Sequence, residues 1–146
     1  MRNIKKIIIH CSDSDFGDAA LIDKWHKERG WEGIGYHYVI MNSYRSKDNY
    51  KKEDDGLIEF GRPVEKVGAH CKGENADSVG ICLIGRHTFT AEQLLVSLPK
   101  LVNDLTVSFG LVPGNVHGHY EFEPAKTCPN ISMEVLRNFL RRKWNI

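Results

Sequence analysis

The hydrophobic and polar positions along the chain predict five short strands. Continuous apolar runs over 4–11 and 79–84 are typical of strands that are buried on both faces of a sheet. Residues 36–42 are rich in aromatic and β-branched side chains, which also favours a strand. Shorter strands are expected over 57–60 and near His117.

Three amphipathic segments predict helices. Asp18 is a suitable N-cap for a helix over 19–29. The segment 90–110 opens with a capping box, and Pro99 inside it predicts either a kink or a division into two helices. Ser132 caps a last helix, whose apolar stripe is formed by Met133, Leu136, Phe139, Leu140 and Trp144.

Strands that alternate with helices predict an α/β fold. The 146 residues are the size of one ordinary domain, so we expect a single domain over 1–146. Its core is expected to be a mixed central β-sheet of about four to six strands, flanked by about three helices. The charged segment 43–55 predicts a protruding loop.

Charge and hydropathy exclude several classes of protein. Lys and Arg number 20 and Asp and Glu number 19, which gives a net charge of +1. This balance argues against a dedicated nucleic-acid-binding protein, which usually carries a basic excess. The apolar runs are shorter than the ~20 residues that cross a bilayer, and the first is too short for a secretory signal. We therefore expect no nucleic-acid partner, no membrane span and a protein that folds in the cytoplasm.

The cysteine pattern restricts what a metal site could look like. The four cysteines are Cys11, Cys71, Cys82 and Cys128. No Cys-x-x-Cys pair occurs, so the chain signals neither a zinc ribbon nor a thioredoxin-like site. In a reducing compartment the four are expected to be free thiols. A metal site would therefore need histidines from distant segments.

Two places carry side chains that packing alone explains poorly. His10 ends an aliphatic strand, and residues 117–129 combine two histidines, two glutamates, a lysine and Cys128 among Gly and Pro. Two imidazoles and a thiolate would leave the fourth position of tetrahedral Zn²⁺ open to water, as in catalytic sites. The alternatives are a hydrogen-bonded core histidine and a small buried cysteine, and the spacing alone favours neither.

Five motifs in order along the chain resemble one enzyme family. The chain is similar to the zinc-dependent N-acetylmuramoyl-L-alanine amidases of the type-2 amidase and peptidoglycan-recognition superfamily. The segments that carry the resemblance are Ile8 to Ser12, Trp25 to Trp31 with Gly35 to Ile40, Gly61-Arg62 with Val67 to Asn75, Ser78 to Gly85, and Gly118-His119 with Lys126 to Pro129.

The resemblance implies one Zn²⁺ with three protein ligands, which are His10, His119 and Cys128. His117 is an alternative to His119, because the spacing from His119 to Cys128 is one step longer than in many members. Glu121 and Glu123 are expected to orient the zinc-bound histidines or to face solvent.

The resemblance also implies roles for four further residues. Tyr36 and Lys126 are the implied catalytic residues, and His70 and Asn75 are the implied substrate-binding residues. Lys126 would supply positive charge where an oxyanion forms, and the phenol of Tyr36 would orient water or donate a hydrogen bond. Strand alternation predicts that Tyr36 and Tyr38 share one face of the sheet.

The implied activity is hydrolysis of the amide bond between N-acetylmuramic acid and L-alanine in bacterial peptidoglycan. The expected role is that of a phage or prophage endolysin for host lysis, a monomer made in the host cytoplasm that reaches the cell wall on lysis. Three alternatives stay open: a cytoplasmic amidase that recycles muropeptides, a non-catalytic peptidoglycan-binding module, and a cysteine hydrolase that uses Cys128 and His119. RNA polymerase, which a phage member of the family binds, is a further partner to consider.

Overall fold

A computed structural model of the protein describes residues 2–143 and contains one mixed β-sheet. The five strands are β1 (Lys6–Cys11), β2 (Tyr38–Ile40), β3 (Ile58–Phe60), β4 (Ser78–Leu83) and β5 (Val116–Gly118). Their order in the sheet is β3-β2-β4-β1-β5, and only β3 runs antiparallel to its neighbour. The predicted α/β fold with a mixed sheet is confirmed.

The centre of the sheet is formed by β1 and β4, the two continuous apolar runs of the sequence. These strands pair in parallel from Lys6 with Ser78 to Cys11 with Leu83. Helices cover both faces of the sheet. Residues 7–11 of β1 and all of β4 are therefore buried.

Three α-helices flank the sheet: α1 (Ala19–Glu28), α2 (Leu98–Phe109) and α3 (Met133–Lys143). Asp18 caps α1, since its side chain accepts a hydrogen bond from the backbone N–H of Leu21 at 2.8 Å. Gly110 ends α2 in the left-handed region at φ 67°. Trp144, which the sequence places on the stripe of the last helix, lies outside the described residues.

The predicted division at Pro99 takes a specific form. A π-helical segment, Glu92–Ser97, precedes α2, and Pro99 lies in the first turn of α2. Because proline has no backbone N–H to donate, Pro99 interrupts the hydrogen-bond pattern where the π-helical segment continues into α2.

The core has two parts, one on each face of the sheet. Side chains of α2 and α3 pack with Ile7, Ile9 and Ile81 on one face, whereas Ile22 of α1 packs with Val39 on the other. The chain thus forms three layers, and all three helices are used to bury the sheet. In the part of the chain that the structure describes, no helix is both long enough and apolar enough to span a membrane.

Candidate active site

Two of the predicted ligands lie side by side because of strand register. β1 and β5 are parallel neighbours, with Ile9 opposite Gly118. His10 follows Ile9 and His119 follows Gly118, so the two imidazoles meet at the carboxyl edge of the sheet, with ring centroids 4.7 Å apart. His10 is 1% exposed, and His119 is half-buried.

Cys128 is brought to the same edge by a closed loop. The loop is fixed where the backbone N–H of Tyr120 donates to the carbonyl of Cys128 at 3.0 Å. The Cys128 Sγ accepts from the backbone N–H of Cys11 at 3.1 Å and lies 3.9 Å from His10 Nδ1. One donor atom each of His10, His119 and Cys128 lies within 4.8 Å of the other two. We call these three residues the metal group.

Hydrogen bonds engage one nitrogen of each imidazole and leave the other nitrogen available to a metal. His119 Nε2 lies 2.9 Å from Glu123 Oε1, so a neutral ring donates from Nε2 and keeps its lone pair on Nδ1. That hydrogen bond lowers the pKa of Glu123, which therefore stays ionised. Burial lowers the pKa of His10 well below its usual value, so its ring is neutral at pH 7. A neutral imidazole with a free lone pair is the form in which histidine binds a metal.

The thiol of Cys128 is not activated by its protein surroundings. A hydrogen bond with the Cys11 thiol and burial raise the pKa of Cys128, which keeps the metal-free side chain protonated. Since a nucleophilic cysteine requires a lowered pKa, this environment opposes the cysteine-hydrolase alternative. A bound cation would reverse the preference by favouring the thiolate.

His117 lies apart from the metal group. It is the middle residue of β5, and its Nδ1 is 3.6 Å from Glu121 Oε1. Its ring packs against Phe122 at 5.1 Å. Within a strand, the side chains of residues i and i+2 point to the same face. Because β5 ends at Gly118, this rule does not extend to His119, and the two histidines can point in different directions. The geometry therefore favours His119 over His117 as a ligand.

Tyr36 approaches the metal group from a turn before β2. Its ring centroid is 5.0 Å from that of His10, and burial raises its pKa well above the usual value. Gly35 allows this approach, since a Cβ there would collide with the carbonyl of Ala69. The prediction that Tyr36 and Tyr38 share a face is wrong: β2 begins only at Tyr38, so strand alternation does not apply to Tyr36, and the two rings pack in different parts of the core.

A cleft of about 630 Å³ is lined by two residues of the metal group, His119 and Cys128, while His10 is buried beside them. Lys126 lines this cleft and is exposed, held on a turn in which its N–H donates to the carbonyl of Glu123 at 2.8 Å. His70 and Asn75 also line the cleft. The Asn75 Oδ1 accepts from the backbone N–H groups of His70 and Cys71 at 2.9 and 3.0 Å, so it shapes the cleft wall as well as facing the cleft.

His26 also lines the cleft, although no pattern in the sequence predicts a role for it. His26 is 5% exposed, and its Nδ1 accepts from the backbone N–H of Gly35 at 2.9 Å, which fixes the turn that carries Tyr36. Burial lowers its pKa to about 4, so the ring is neutral. Its only sequence signal was its place in the Trp25–Trp31 motif, because its partner is a backbone group.

The comparisons with known proteins agree with this geometry. The N-acetylmuramoyl-L-alanine amidase family matches residues 1–131. The chain belongs to this family. Its relatives include the endolysin of Klebsiella phage KP32, 34% identical over 142 residues, and that of Escherichia phage T7, 32% identical over 136 residues. Each of these matches covers 88% of this chain and 82% of the relative.

Solved structures give the same result for this amidase. N-acetylmuramoyl-L-alanine amidase LysC from Clostridium intestinale has a TM-score of 0.79 and 29% identity, covering 99% of this chain and 87% of LysC. Its family membership and its similarity to LysC show that the chain is an enzyme with N-acetylmuramoyl-L-alanine amidase activity.

Proposed function

We propose that this amidase is a zinc enzyme whose ligands are His10, His119 and Cys128, and that it degrades host peptidoglycan as a phage lysin. The observation that carries the proposal is the convergence of these three donor atoms within 4.8 Å, beside a cleft that His119 and Cys128 line. The endolysins of phages KP32 and T7 among its relatives support the role in lysis.

The donor set suits zinc better than harder cations. Imidazole nitrogen and thiolate sulfur are ligands that Zn²⁺ prefers, whereas Mg²⁺ and Ca²⁺ prefer oxygen. Three protein ligands leave one position for water or substrate, the arrangement of a catalytic site. His10 is already neutral, and the hydrogen bond from Cys11 N–H to Cys128 Sγ supports a thiolate once a cation is present.

A second group of metal-binding side chains overlaps the first. Cys71, His119 and Glu123 also bring donor atoms within 4.8 Å of one another. Within this second group, His119 Nε2 is already hydrogen-bonded to Glu123 Oε1 at 2.9 Å, and the group offers one imidazole where the first group offers two. We therefore assign the metal to the first group and an orienting role to Glu123.

The chain's own residues divide the remaining work of amide hydrolysis. Zinc, when bound, polarises the scissile carbonyl and lowers the pKa of water to about 7. The Tyr36 hydroxyl donates a hydrogen bond toward the reacting centre, and its raised pKa keeps its proton in place at neutral pH. The Lys126 ammonium, exposed at the cleft wall, opposes the negative charge that develops on the carbonyl oxygen.

Among the alternatives, a purely binding module is disfavoured by the position of Cys128 beside His10 and His119. The thiol completes a set of three ligands, which is the set that a catalytic zinc site uses. A recycling amidase would cleave the same bond in soluble muropeptides. The two enzyme roles are separated by comparing rates on intact peptidoglycan and on soluble muropeptides.

Elemental analysis of purified variants tests the ligand assignment. Cys128→Ala and His119→Ala should lose zinc, while the matched controls Cys71→Ala and His117→Ala should retain about one equivalent. Zinc in the Cys128 variant together with loss in the Cys71 variant would move the metal to the second group. Zinc in the His119 variant with loss in the His117 variant would reverse the choice of histidine.

A further inference from the structure

A second buried histidine lies directly behind the ligand His10. The His70 Nδ1 is 2.8 Å from His10 Nε2, and the two rings meet edge to face at 88°. His70 is 9% exposed. The contact uses the nitrogen of His10 that points away from Cys128, since His10 Nδ1 is the atom near the sulfur.

A backbone carbonyl sets the direction of every hydrogen bond in this chain of contacts. The Ser78 hydroxyl donates to the carbonyl of Glu74 at 2.7 Å, and a carbonyl can only accept. The Ser78 Oγ, 3.3 Å from His70 Nε2, is then the acceptor of the His70 Nε2–H. A neutral His70 that donates from Nε2 has a lone pair on Nδ1, which can only accept from His10.

The consequence for His10 is one tautomer. Its Nε2 must carry the proton that His70 accepts, and its Nδ1 must carry the lone pair that faces Cys128. The carbonyl of Glu74 thus determines, through Ser78 and His70, which nitrogen of His10 is free to bind a cation.

The position of the His70 ring is set by two glycines. A Cβ on Gly80 of β4 or on Gly68 would come within 2.7 Å of the ring, so the ring occupies space that only glycine leaves open. The backbone of His70 is held by the Asn75 side chain. Ser78 is fully buried at the start of β4. The positions of His70 and Ser78 are therefore fixed by their buried surroundings.

We propose that His70 is a positioning residue that acts through His10: together with Ser78 and the Glu74 carbonyl it fixes the tautomer that presents His10 Nδ1 to the metal. The proposal rests on the zinc site proposed above. It gives His70 a role besides the substrate contact that the resemblance implied, and it adds Ser78, which no sequence motif singled out for chemistry.

Zinc affinity, measured by competition with a chelator of known affinity, is the first test. His70→Phe keeps a ring but removes the acceptor, and zinc binding should weaken about 10–100-fold. His70→Asn, whose Oδ1 can take the place of Nδ1, should recover part of the loss. Ser78→Ala should weaken binding less than His70→Phe, and adding it to His70→Phe should cause no further loss, because the chain is already interrupted.

A matched serine separates positioning from general stability. Ser97 is also buried, its hydroxyl donates to a backbone carbonyl, that of Gly56, and neither residue lines the cleft. Ser97→Ala should lower the melting temperature without changing zinc affinity. If Ser78→Ala and Ser97→Ala alter zinc affinity equally, the role of Ser78 is structural and the proposal is wrong.

The tautomers of His10 and His70 can also be observed directly in the wild-type zinc protein, so the test does not depend on whether a His70 variant folds. The ¹H–¹⁵N spectrum of the histidine side chains should show a slowly exchanging Nε2–H on His10 and a bare Nδ1 on His70. A His10 protonated on Nδ1 would overturn the inference. If Cys128→Ala keeps its zinc, the proposed function fails; if Cys128→Ala loses zinc while His70→Phe binds it like the wild type, only this inference fails.

Discussion

Tyr36 presents a hydroxyl and a ring that can be separated by one substitution. Tyr36→Phe removes the oxygen and keeps the ring that packs near His10 and His26. We expect unchanged zinc content and melting temperature but a loss of about 10²–10⁴ in the rate of hydrolysis. The check is turnover on purified peptidoglycan, with wall binding measured by pelleting as the control. Wild-type turnover would make Tyr36 a packing residue.

Lys126 is the positive charge whose removal should affect turnover alone. It is exposed, so Lys126→Ala should leave zinc content and stability unchanged while hydrolysis falls about 10²–10³-fold. Lys100→Ala is the matched control, since Lys100 is equally an exposed lysine but pairs with Asp104 on α2. Equal activity of the two variants would show that Lys126 is only a solvated side chain.

At the residue scale, the motifs predicted which side chains take part in the chemistry, but not the surroundings of those side chains. The family resemblance implies His10, His119 and Cys128 as a ligand set, and the structure brings them together. The face of Tyr36 was predicted wrongly, because where β2 begins depends on pairing with distant segments. The partner of His26 could not be predicted, since it is a backbone N–H, and those of His70 could not be either, since they lie on two different strands, His10 on β1 and Ser78 on β4.

Among the elements, the charged loop 43–55 is joined to the sheet and to α1 by the guanidinium of Arg45. Arg45 pairs with Asp18 at the start of α1, with Asp54 in the loop and with Glu59 on β3. The sequence predicts a protruding loop; the structure shows that the segment contains a short 3-10 helix, Lys52–Asp54, and that Arg45 ties it to a helix and a strand. Side-chain pairing of this kind depends on tertiary proximity and leaves no periodic pattern in the sequence.

Arg45→Met should destabilise the fold by about 1–2 kcal/mol, because three carboxylates lose a common partner that is about one-third exposed. Urea denaturation measures the difference. Arg86→Met is the matched control: Arg86 pairs with Asp13 and Asp15, whose side chains are 78% and 82% exposed, so its loss should cost less than about 0.5 kcal/mol. Equal costs would show that the Arg45 pairs contribute no more than surface ion pairs.

The elements themselves were largely predictable from apolar periodicity. The strand order β3-β2-β4-β1-β5 was not, because it depends on contacts between segments far apart in sequence. Pro99 indicated a break in its helix, yet the π-helical form of Glu92–Ser97 could not be predicted from a proline alone.

For the molecule as a whole, buried neutral histidines make stability depend on pH. Burial lowers the pKa of His26 to about 4 and that of His70 to about 3, and it also lowers the pKa of His10 and His37. Below their ordinary pKa of about 6.5 the unfolded chain binds protons that the folded chain does not. Their contribution is therefore complete above about pH 6.5 and is lost as the pH falls toward the folded-state values.

His26→Asn tests this linkage, because its Oδ1 can still accept from Gly35 N–H while the titrating ring is gone. Between pH 7 and pH 4 the wild type should lose up to about 3 kcal/mol more of its free energy of unfolding than the variant does. Zinc release on acidification is common to both proteins and cancels in the difference. Parallel pH profiles from urea denaturation would show that His26 titrates normally.

The central claim is that zinc at His10, His119 and Cys128 enables this chain to cleave the bond between N-acetylmuramic acid and L-alanine. The most direct measurement is mass spectrometry of purified peptidoglycan after incubation with the protein, with the chelated protein, and with the chelated protein after Zn²⁺ is restored. We predict free stem peptides with an L-alanine amino terminus and intact glycan strands, lost on chelation and recovered with Zn²⁺. Cleavage that continues after complete removal of the metal, or products cut within the glycan or the peptide, would contradict the account.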